Sequence, residues 1–424
     1  MRKTINNCFY IHTLGCKVNW CDSEKIVDEA NKIGWVRLSD RDSAGFYILN
    51  TCTVTSQADA TARKIVRKFY KENPNAPIFV TGCYARTSFS ALKKIPEISL
   101  VIESNNPKII IKNINDFLNN NFNEIVSEYN PIISEFNDNR TRAFIKIQDG
   151  CNRFCAYCKI PFARGRAKSV PQKKIFEEIK KLAKNNYKEI VLTGINIAAY
   201  NYDSISLTDL LKNISQKNII PRVRLSSIEA TAITDDLCEI FANSESLMPQ
   251  IHIPLQSGSD KILKLMNRKI MSADILKAAE KFLSKVKNAV VTTDIIVGLP
   301  GEEKNDFEQT LNIVDKIPFA KIHIFQYSPR EGTAAAKMKN LFVQPAEIKN
   351  RAKILEKHAE SSAQKCRQYF ADKKLNVLIE HKTGDCWEGF SENYLRVCST
   401  IPNLKQNEIV ELEMSNPKNK FINQ

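Results

Sequence analysis

Cys151-Asn152-Arg153-Phe154-Cys155-Ala156-Tyr157-Cys158 is the stretch on which the reading of this chain turns. It sets three thiols in a CxxxCxxC spacing, directly behind the apolar run Ala143–Ile147. Thiolates are soft ligands that favour iron–sulfur clusters or zinc, and one compact loop can wrap its sulfurs around a single metal centre. A structural zinc site is closed by four protein ligands, and no adjacent His or second CxxC supplies the fourth here. Three cysteines therefore leave one metal position open to a small ligand. Zinc or free thiols are the bland alternative.

Outward from this loop, short apolar runs alternate with helical segments up to about Pro329. The expected strands are Ala143–Ile147, Ile190–Leu192, Val223–Leu225, Gln250–Ile253, Val290–Ile296 and Lys321–Phe325. The helix after Pro171 is the clearest, because proline suits a first helical turn. Its apolar residues Ile175, Phe176, Ile179, Leu182 and Ala183 fall on one face. About six βα units of this size suggest a full or partial (β/α) barrel, with the cysteine loop at the C-terminal mouth of the first strand, where such folds keep their active sites. A doubly wound sheet fits the same alternation.

Upstream, Phe9-Tyr10-Ile11 leads into Gly15-Cys16, Phe46–Leu49 into Thr51-Cys52, and Ile78-Phe79-Val80 into Gly82-Cys83. Helices are expected over Asp22–Ile33 and Ala58–Tyr70, and Leu100–Ile102 adds a further strand. This pattern fits a parallel-sheet α/β domain. Cys16, Cys52 and Cys83 lie too far apart for spacing to mark a metal site, yet each directly follows a strand. In a parallel sheet those strand ends share one edge, where ligands bind. Cys8 precedes its strand and is expected to stay apart from the other three.

An Asn-rich stretch, Lys112–Arg142, places a boundary between about 125 and 142. A long helix is expected from Pro345 to about Tyr369, where Lys349, Lys353 and Lys357 recur every four residues; a solvated face and a phosphate-contacting stripe are equally good readings. Asn376–Glu380, Tyr394–Val397 and Glu408–Leu412 read as short strands of a small β-barrel.

The 424-residue chain carries 62 Lys and Arg against 47 acids, a net charge of +15, which favours a polyanionic partner such as nucleic acid. No run approaches the ~18 apolar residues of a membrane span, and Met1–Asn7 does not open a secretory signal. A cytoplasmic protein without membrane association is expected. Twelve cysteines in a reducing compartment point to metal or redox chemistry rather than a disulfide scaffold. Cys21, Cys238, Cys366, Cys386 and Cys398 read as packing or incidental thiols, and His252 and His323 as core histidines.

The Cys151–Cys158 loop, with a Tyr before its last cysteine, resembles the radical S-adenosylmethionine superfamily. The resemblance implies that Cys151, Cys155 and Cys158 hold a [4Fe–4S] cluster whose fourth iron binds S-adenosylmethionine, cleaved by electron transfer to a 5′-deoxyadenosyl radical. Thr13–Asn19, Asn50–Thr55 and Thr81–Cys83 resemble the N-terminal domain of the methylthiotransferase family, implying a second [4Fe–4S] cluster on Cys16, Cys52 and Cys83. The likeness continues through Ile160–Gly165, Thr193–Asn196, Arg224–Glu229, His252–Ser259, Asp294–Glu302 and Tyr327–Arg330.

It implies an N-terminal methylthiotransferase domain over 1–125, a linker over 126–142, a radical S-adenosylmethionine domain over 143–368 and a TRAM-like RNA-binding domain over 369–424. Tyr157, Thr193, Gly194, Glu229, Gln256 and Ser257 are candidates for binding S-adenosylmethionine; Glu229 and Gln256 also suit ordinary strand-end roles. No catalytic residue beyond the cluster cysteines stands out.

Within the family, Gly15–Asn19 and Asn50–Thr55 resemble the MtaB type, which methylthiolates N6-threonylcarbamoyladenosine next to the tRNA anticodon. The isopentenyladenosine branch usually has Gln where Lys17 stands. The partners so implied are the tRNA anticodon loop, an electron donor and a sulfur source. Rival readings are the same chemistry on isopentenyladenosine or on a ribosomal-protein aspartate, and a non-catalytic iron–sulfur RNA-binding protein.

Overall fold

The computed structural model describes residues 5–122, 125–126 and 141–422, so most of the 126–142 linker lies outside the described residues. The N-terminal region contains β1 (Cys8–Thr13), α1 (Lys17–Asn31), β2 (Phe46–Thr51), α2 (Ser56–Glu72), β3 (Ile78–Gly82), the short α3 (Cys83–Thr87), β4 (Leu100–Val101) and α4 (Pro107–Asn121). With the two-residue strand Val36–Arg37 outside β1, the sheet order is Val36–Arg37, β1, β2, β3, β4, all parallel. Both faces are covered. Phe46 and Ile48 pack into one apolar cluster, and Tyr47 and Leu49 into another, as the two-residue period of a strand dictates.

The strand order switches between β1 and β2, and a doubly wound sheet binds its ligands at such a switch point. α1 starts at Lys17 rather than Asp22. Its first turns bury Asn19, Asp22 and Ser23, so apolar periodicity does not mark them.

Six parallel strands follow: β5 (Arg142–Lys146), β6 (Glu189–Thr193), β7 (Arg222–Leu225), β8 (Gln250–His252), β9 (Val290–Val297) and β10 (Phe319–Gln326). They form two three-stranded sheets, β7-β6-β5 and β8-β9-β10. The lone bridges Val223–Leu247 and Ser227–His252 join these into one wall. The result is a partial barrel. On its outer face Ile190, Leu192, Val223, Leu225, Ile251 and Ile295 pack in one cluster with residues of the surrounding helices, such as Ile175, Ile179 and Leu210. The alternate positions, facing the lumen, hold Arg142, Glu189, Arg224, His252, Asp294 and His323. A lumen lined this way is a binding cavity and not a packed apolar core.

A long helix, α5 (Pro345–Tyr369), leads to a curled antiparallel sheet. Its strands are β11 (Lys374–Thr383), β12 (Cys386–Ser391), β13 (Arg396–Ser399), β14 (Ile409–Glu413) and β15 (Asn419–Phe421), ordered β14-β11-β12-β13-β15. β12 and β15 escaped the sequence reading because Gly389 and the polar residues around them dilute the strand signal. The pairing sets Glu388 opposite Cys398, which leaves Cys386 as the diagonal neighbour of Cys398 on the same face. The two are joined in a disulfide, 5.7 Å between Cα atoms. That corrects their reading as incidental thiols.

This sheet docks under the N-terminal ends of the barrel strands. Arg222 donates to the carbonyls of Phe390 (3.1 Å) and Asn376 (2.6 Å), and Arg224 to those of Glu392 and Ser391 (2.7 Å each). Arg142 pairs with Glu380 at 2.5 Å. Fully buried Glu189 lies among all three arginines, 3.0 Å from Arg142, 2.9 Å from Arg224 and 3.6 Å from Arg222. Burial alone would raise its carboxyl, but Arg224 and Arg142 hold it down at about 2.

Removing one partner of a buried pair strands the other charge. Glu189→Gln is therefore expected to cost about 3–5 kcal/mol at neutral pH. Because the folded carboxyl is depressed, its stabilisation is complete above the ordinary value of 4.5 and fades as pH falls toward 2. Thermal unfolding across that window should show the gap between wild type and variant narrowing with falling pH.

Candidate active site at the mouth of the barrel

The loops after β1, β2 and β3 bring Cys16, Cys52 and Cys83 together. Cys16 sits at the N-cap of α1, and Cys83 opens α3. Gly15 has φ +97°, and a Cβ built there would lie 2.5 Å from Cys52 Cβ, so only glycine lets these loops approach so closely. Asn19 ties them together: its amide donates to Leu14 O (2.8 Å) and Thr51 O (2.9 Å), and Cys83 Sγ lies 3.8 Å from its Oδ1. Burial pushes the Cys83 thiol up to about 12, Arg164 opposes the rise, and Cys16 and Cys52 add to it. Cys52 is raised by burial and by Cys16, against hydrogen bonds from the Val54 and Thr53 amides. Cys8 begins β1, at the opposite end of the strand from Cys16.

The second set follows β5. The loop is closed by Cys151 N–H donating to Gly165 O (3.0 Å), and Arg153 N–H points at Cys151 Sγ (3.3 Å). Cys158 is driven up to about 12 by burial, then by Cys155 and Cys151. Arg268 donates toward Cys155 Sγ at 3.9 Å. In each triad a neighbouring sulfur adds to the burial that disfavours the thiolates of Cys52, Cys83 and Cys158, a charge that a bound metal would offset.

Tyr157, Cys158 and Gln256 share a cavity with Asp294, Phe325 and Arg330 of the barrel and with Val54 and Thr55 of the N-terminal region. Gln256 holds a left-handed backbone, φ +67°, rare for a residue with a Cβ and characteristic of functional strand ends. Burial raises the Tyr157 phenol. Glu229 faces the cysteine loop, pairing with Arg153 at 2.6 Å and Arg268 at 3.5 Å. Thr193 and Ser257 are buried, and Ser257 accepts from Ser259 N–H at 3.2 Å. Gly194 packs against Gln148, whose carbonyl a Cβ would meet at 2.9 Å. Glu229, Thr193, Gly194 and Ser257 do not line that cavity.

The sequence reading passed over the groups that join the two thiol sets. Arg164 lies six residues beyond Cys158, at the end of the short helix Ile160–Arg164. Its side chain crosses to the N-terminal region, bonding Asn19 Oδ1 and pairing with Asp22 at 3.0 Å, while its other amine pairs with Asp149 at 3.0 Å. Lys146 bridges the same two carboxylates. Arg330 makes a second crossing, donating to Thr53 O (3.0 Å) and Oγ1 (2.6 Å) and pairing with Asp59 at 2.6 Å. Both arginines lay inside stretches quoted above, but nothing local marks which arginine will cross a domain seam.

His252 and His323 are not core histidines. They stand on the lumen side of β8 and β10, where His252 Nε2 lies 3.2 Å from Asp294 Oδ2 and the two rings are 5.9 Å apart. The lumen opens on a cavity, so these inward positions meet solvent space instead of packed side chains.

A partial parallel barrel with a three-thiol loop behind its first strand defines the radical S-adenosylmethionine class. Residues 145–314 match the Radical SAM superfamily and residues 8–103 the uncharacterized protein family UPF0004. The threonylcarbamoyladenosine tRNA methylthiotransferase MtaB of Thermotoga maritima is 37% identical over 91% of this chain and 90% of its own length. The Bacillus subtilis protein of the same name is 34% identical over 91% and 89%. A tRNA-2-methylthio-N(6)-dimethylallyladenosine synthase of Pelagibacter ubique is 34% identical over 89% and 87%. Among solved structures, the radical S-adenosylmethionine methyltransferase TsrM of Kitasatospora setae superposes with a TM-score of 0.58 at 11% identity, over 78% of this chain and 77% of that one. The chain belongs to the radical S-adenosylmethionine methylthiotransferase family.

Arg164→Ala should destabilise the seam by about 3–5 kcal/mol, because it strips a buried partner from Asp22 and Asp149. Arg164→Lys should recover less than half of this, since an ammonium lacks the planar fork that reaches both carboxylates. Denaturant unfolding of the three proteins checks both statements.

Proposed function

We propose that this chain converts the C2–H of N6-threonylcarbamoyladenosine, immediately 3′ of the tRNA anticodon, to C2–SCH3. The carrying observation is that one cavity has Cys158 on its barrel wall and Val54 and Thr55, just beyond Cys52, on the other. The donor sets fit two iron–sulfur groups: three soft thiols each, and in Gly15 a backbone cradle that any side chain would fill. Cys151, Cys155 and Cys158 would hold one [4Fe–4S] cluster and Cys16, Cys52 and Cys83 the other, supplying reductive cleavage of S-adenosylmethionine and a site for the transferred sulfur.

The chain's own groups do the positioning. Tyr157 and Gln256 border the place for S-adenosylmethionine, and Glu229 holds Arg153 and Arg268 against the thiol loop. Arg164 and Arg330 close the seam between the two thiol sets. An anticodon-loop base is single-stranded and can be splayed into such a cavity. The net charge of +15 favours the RNA phosphates. In this reading 1–125 carries the sulfur-delivering site, 126–142 links it to the radical domain 143–368, and 369–424 grips RNA from below. An electron donor and a sulfur source complete the partners, in the cytoplasm. Among the described residues no helix is long and apolar enough to cross a membrane.

Mass spectrometry of tRNA nucleosides after expression in a host lacking the activity should show methylthio-threonylcarbamoyladenosine; its absence, with the protein loaded with iron, would overturn the reading. Anaerobically reconstituted wild type should bind about eight irons and Gly15→Ala about four, because the new Cβ displaces Cys52. Iron analysis of the two proteins decides this.

A further inference from the structure

The short helix Ile160–Arg164 buries Pro161, Ala163 and Arg164 and leaves Phe162, between them, 58% exposed. Phe154, inside the Cys151–Cys158 loop, is 51% exposed. The two rings meet edge to face, with centroids 5.7 Å apart. Among the described residues they are the only two exposed aromatic rings in contact with each other. Full burial of a phenylalanine stabilises a fold by about 1.5–3 kcal/mol, so a joined pair left in solvent beside a candidate active site marks a binding surface. The pair is also held firmly. Phe154 O accepts from Asn267 Nδ2 at 2.8 Å, and Ala156 N–H donates to Met266 O at 2.9 Å.

Positive charge beside the pair is in surplus. Ala167 N–H donates to Asn152 Oδ1 at 3.1 Å, which lays Arg166 and Lys168 along the thiol loop. Both are exposed, and neither side chain has an ion pair or hydrogen bond among the described residues. The nearby carboxylates are already taken. Asp149, opposite Lys168 in the ladder, is held by Arg164 and Lys146, and Glu229 by Arg153 and Arg268. Exposed aromatic rings with unmatched cations beside them suit single-stranded nucleic acid, whose bases stack on the rings while its phosphates meet the cations. We infer that Phe154 and Phe162 stack a nucleobase flanking the one that enters the cavity, with Arg166 and Lys168 on the adjoining phosphates.

The inference rests on the function proposed above and adds a second base-binding place outside the reacting pocket. Its position follows from the chain itself. Cys158, Lys159 and Ile160 line the cavity, and two residues of chain span at most about 7 Å, so Phe162 stands at the cavity's rim. An apolar protein segment would cover the rings and leave both cations without a partner; RNA uses the whole surface.

The test measures binding of anticodon stem-loop RNAs to the reconstituted holoenzyme without reductant. Each RNA carries threonylcarbamoyladenosine, and the nucleotide on one side or the other of it is either intact or abasic. Wild type should bind one of the abasic loops roughly 5- to 100-fold more weakly than the intact loop, the range of one base stacked on an aromatic ring. Phe162→Ala should bind the intact loop about as weakly as wild type binds that abasic loop, and lose little more on the abasic loop itself. Phe162→Trp should keep the preference, and Arg166→Gln and Lys168→Gln should each lower the salt slope by about one. Wild-type affinity indifferent to both abasic sites overturns the inference, as does a Phe162→Ala protein whose loss is equally large on intact and abasic RNA. If Phe162→Ala fails to retain its iron, the wild-type and Phe162→Trp comparisons decide. Methylthiolation confined to isopentenyladenosine RNA sinks the proposed function instead, and the abasic comparison is then read on that RNA.

Discussion

The Arg164 guanidinium is the contact on which the rest depends. One planar fork spans Asn19, Asp22 and Asp149, and so locks the helix behind Cys16 to the loop that carries Cys151–Cys158. A buried guanidinium of this kind works through geometry more than through net stabilisation. Its own desolvation offsets much of the attraction, but any slip of one domain past the other leaves charges stranded. Lys146 doubles the link to both carboxylates, and Arg330 repeats the device on the far side of the cavity. Two thiol sets on separate domains can serve one substrate only if their spacing is fixed, and these three cations fix it.

The floor of the barrel follows the same logic. Glu189 is tolerated in full burial because three arginines surround it, and two of those arginines spend their remaining donors on carbonyls of the C-terminal sheet. The sheet thereby becomes the bottom of the barrel. Aromatic contacts add to the joint, with Arg142 over Phe390 and both Arg142 and Arg224 over Tyr394.

Most of the scaffold was legible in the sequence because it depends on apolar periodicity. The six barrel strands appear within a residue or two of their expected places, and the helix from Pro345 to Tyr369 coincides with its reading. The cysteines could be read because β1, β2 and β3 end where their apolar runs end. What stayed hidden was made of polar residues whose roles exist only across the fold. The first turns of α1 bury Asn19 and Asp22, and β12 meets Cys398 only once β13 pairs with it. Arg164 looks like any arginine until Asn19 and Asp22, more than a hundred residues away, are in place. His252 and His323 misled for the converse reason. An apolar strand context signals a core only when both strand faces are packed, and one face here looks into an open lumen.

The barrel wall itself is unevenly stitched. Full ladders hold β5 to β7 together and β8 to β10 together, while between β7 and β8 only single bridges at Val223–Leu247 and Ser227–His252 cross. Cooperative backbone pairing is what makes a sheet stiff, so compliance in this vessel gathers along that one line. The thiol loop belongs to the first stave, β5 to β7, and the Gln256 turn to the second, β8 to β10, so this lightly stitched line of the wall runs between the two.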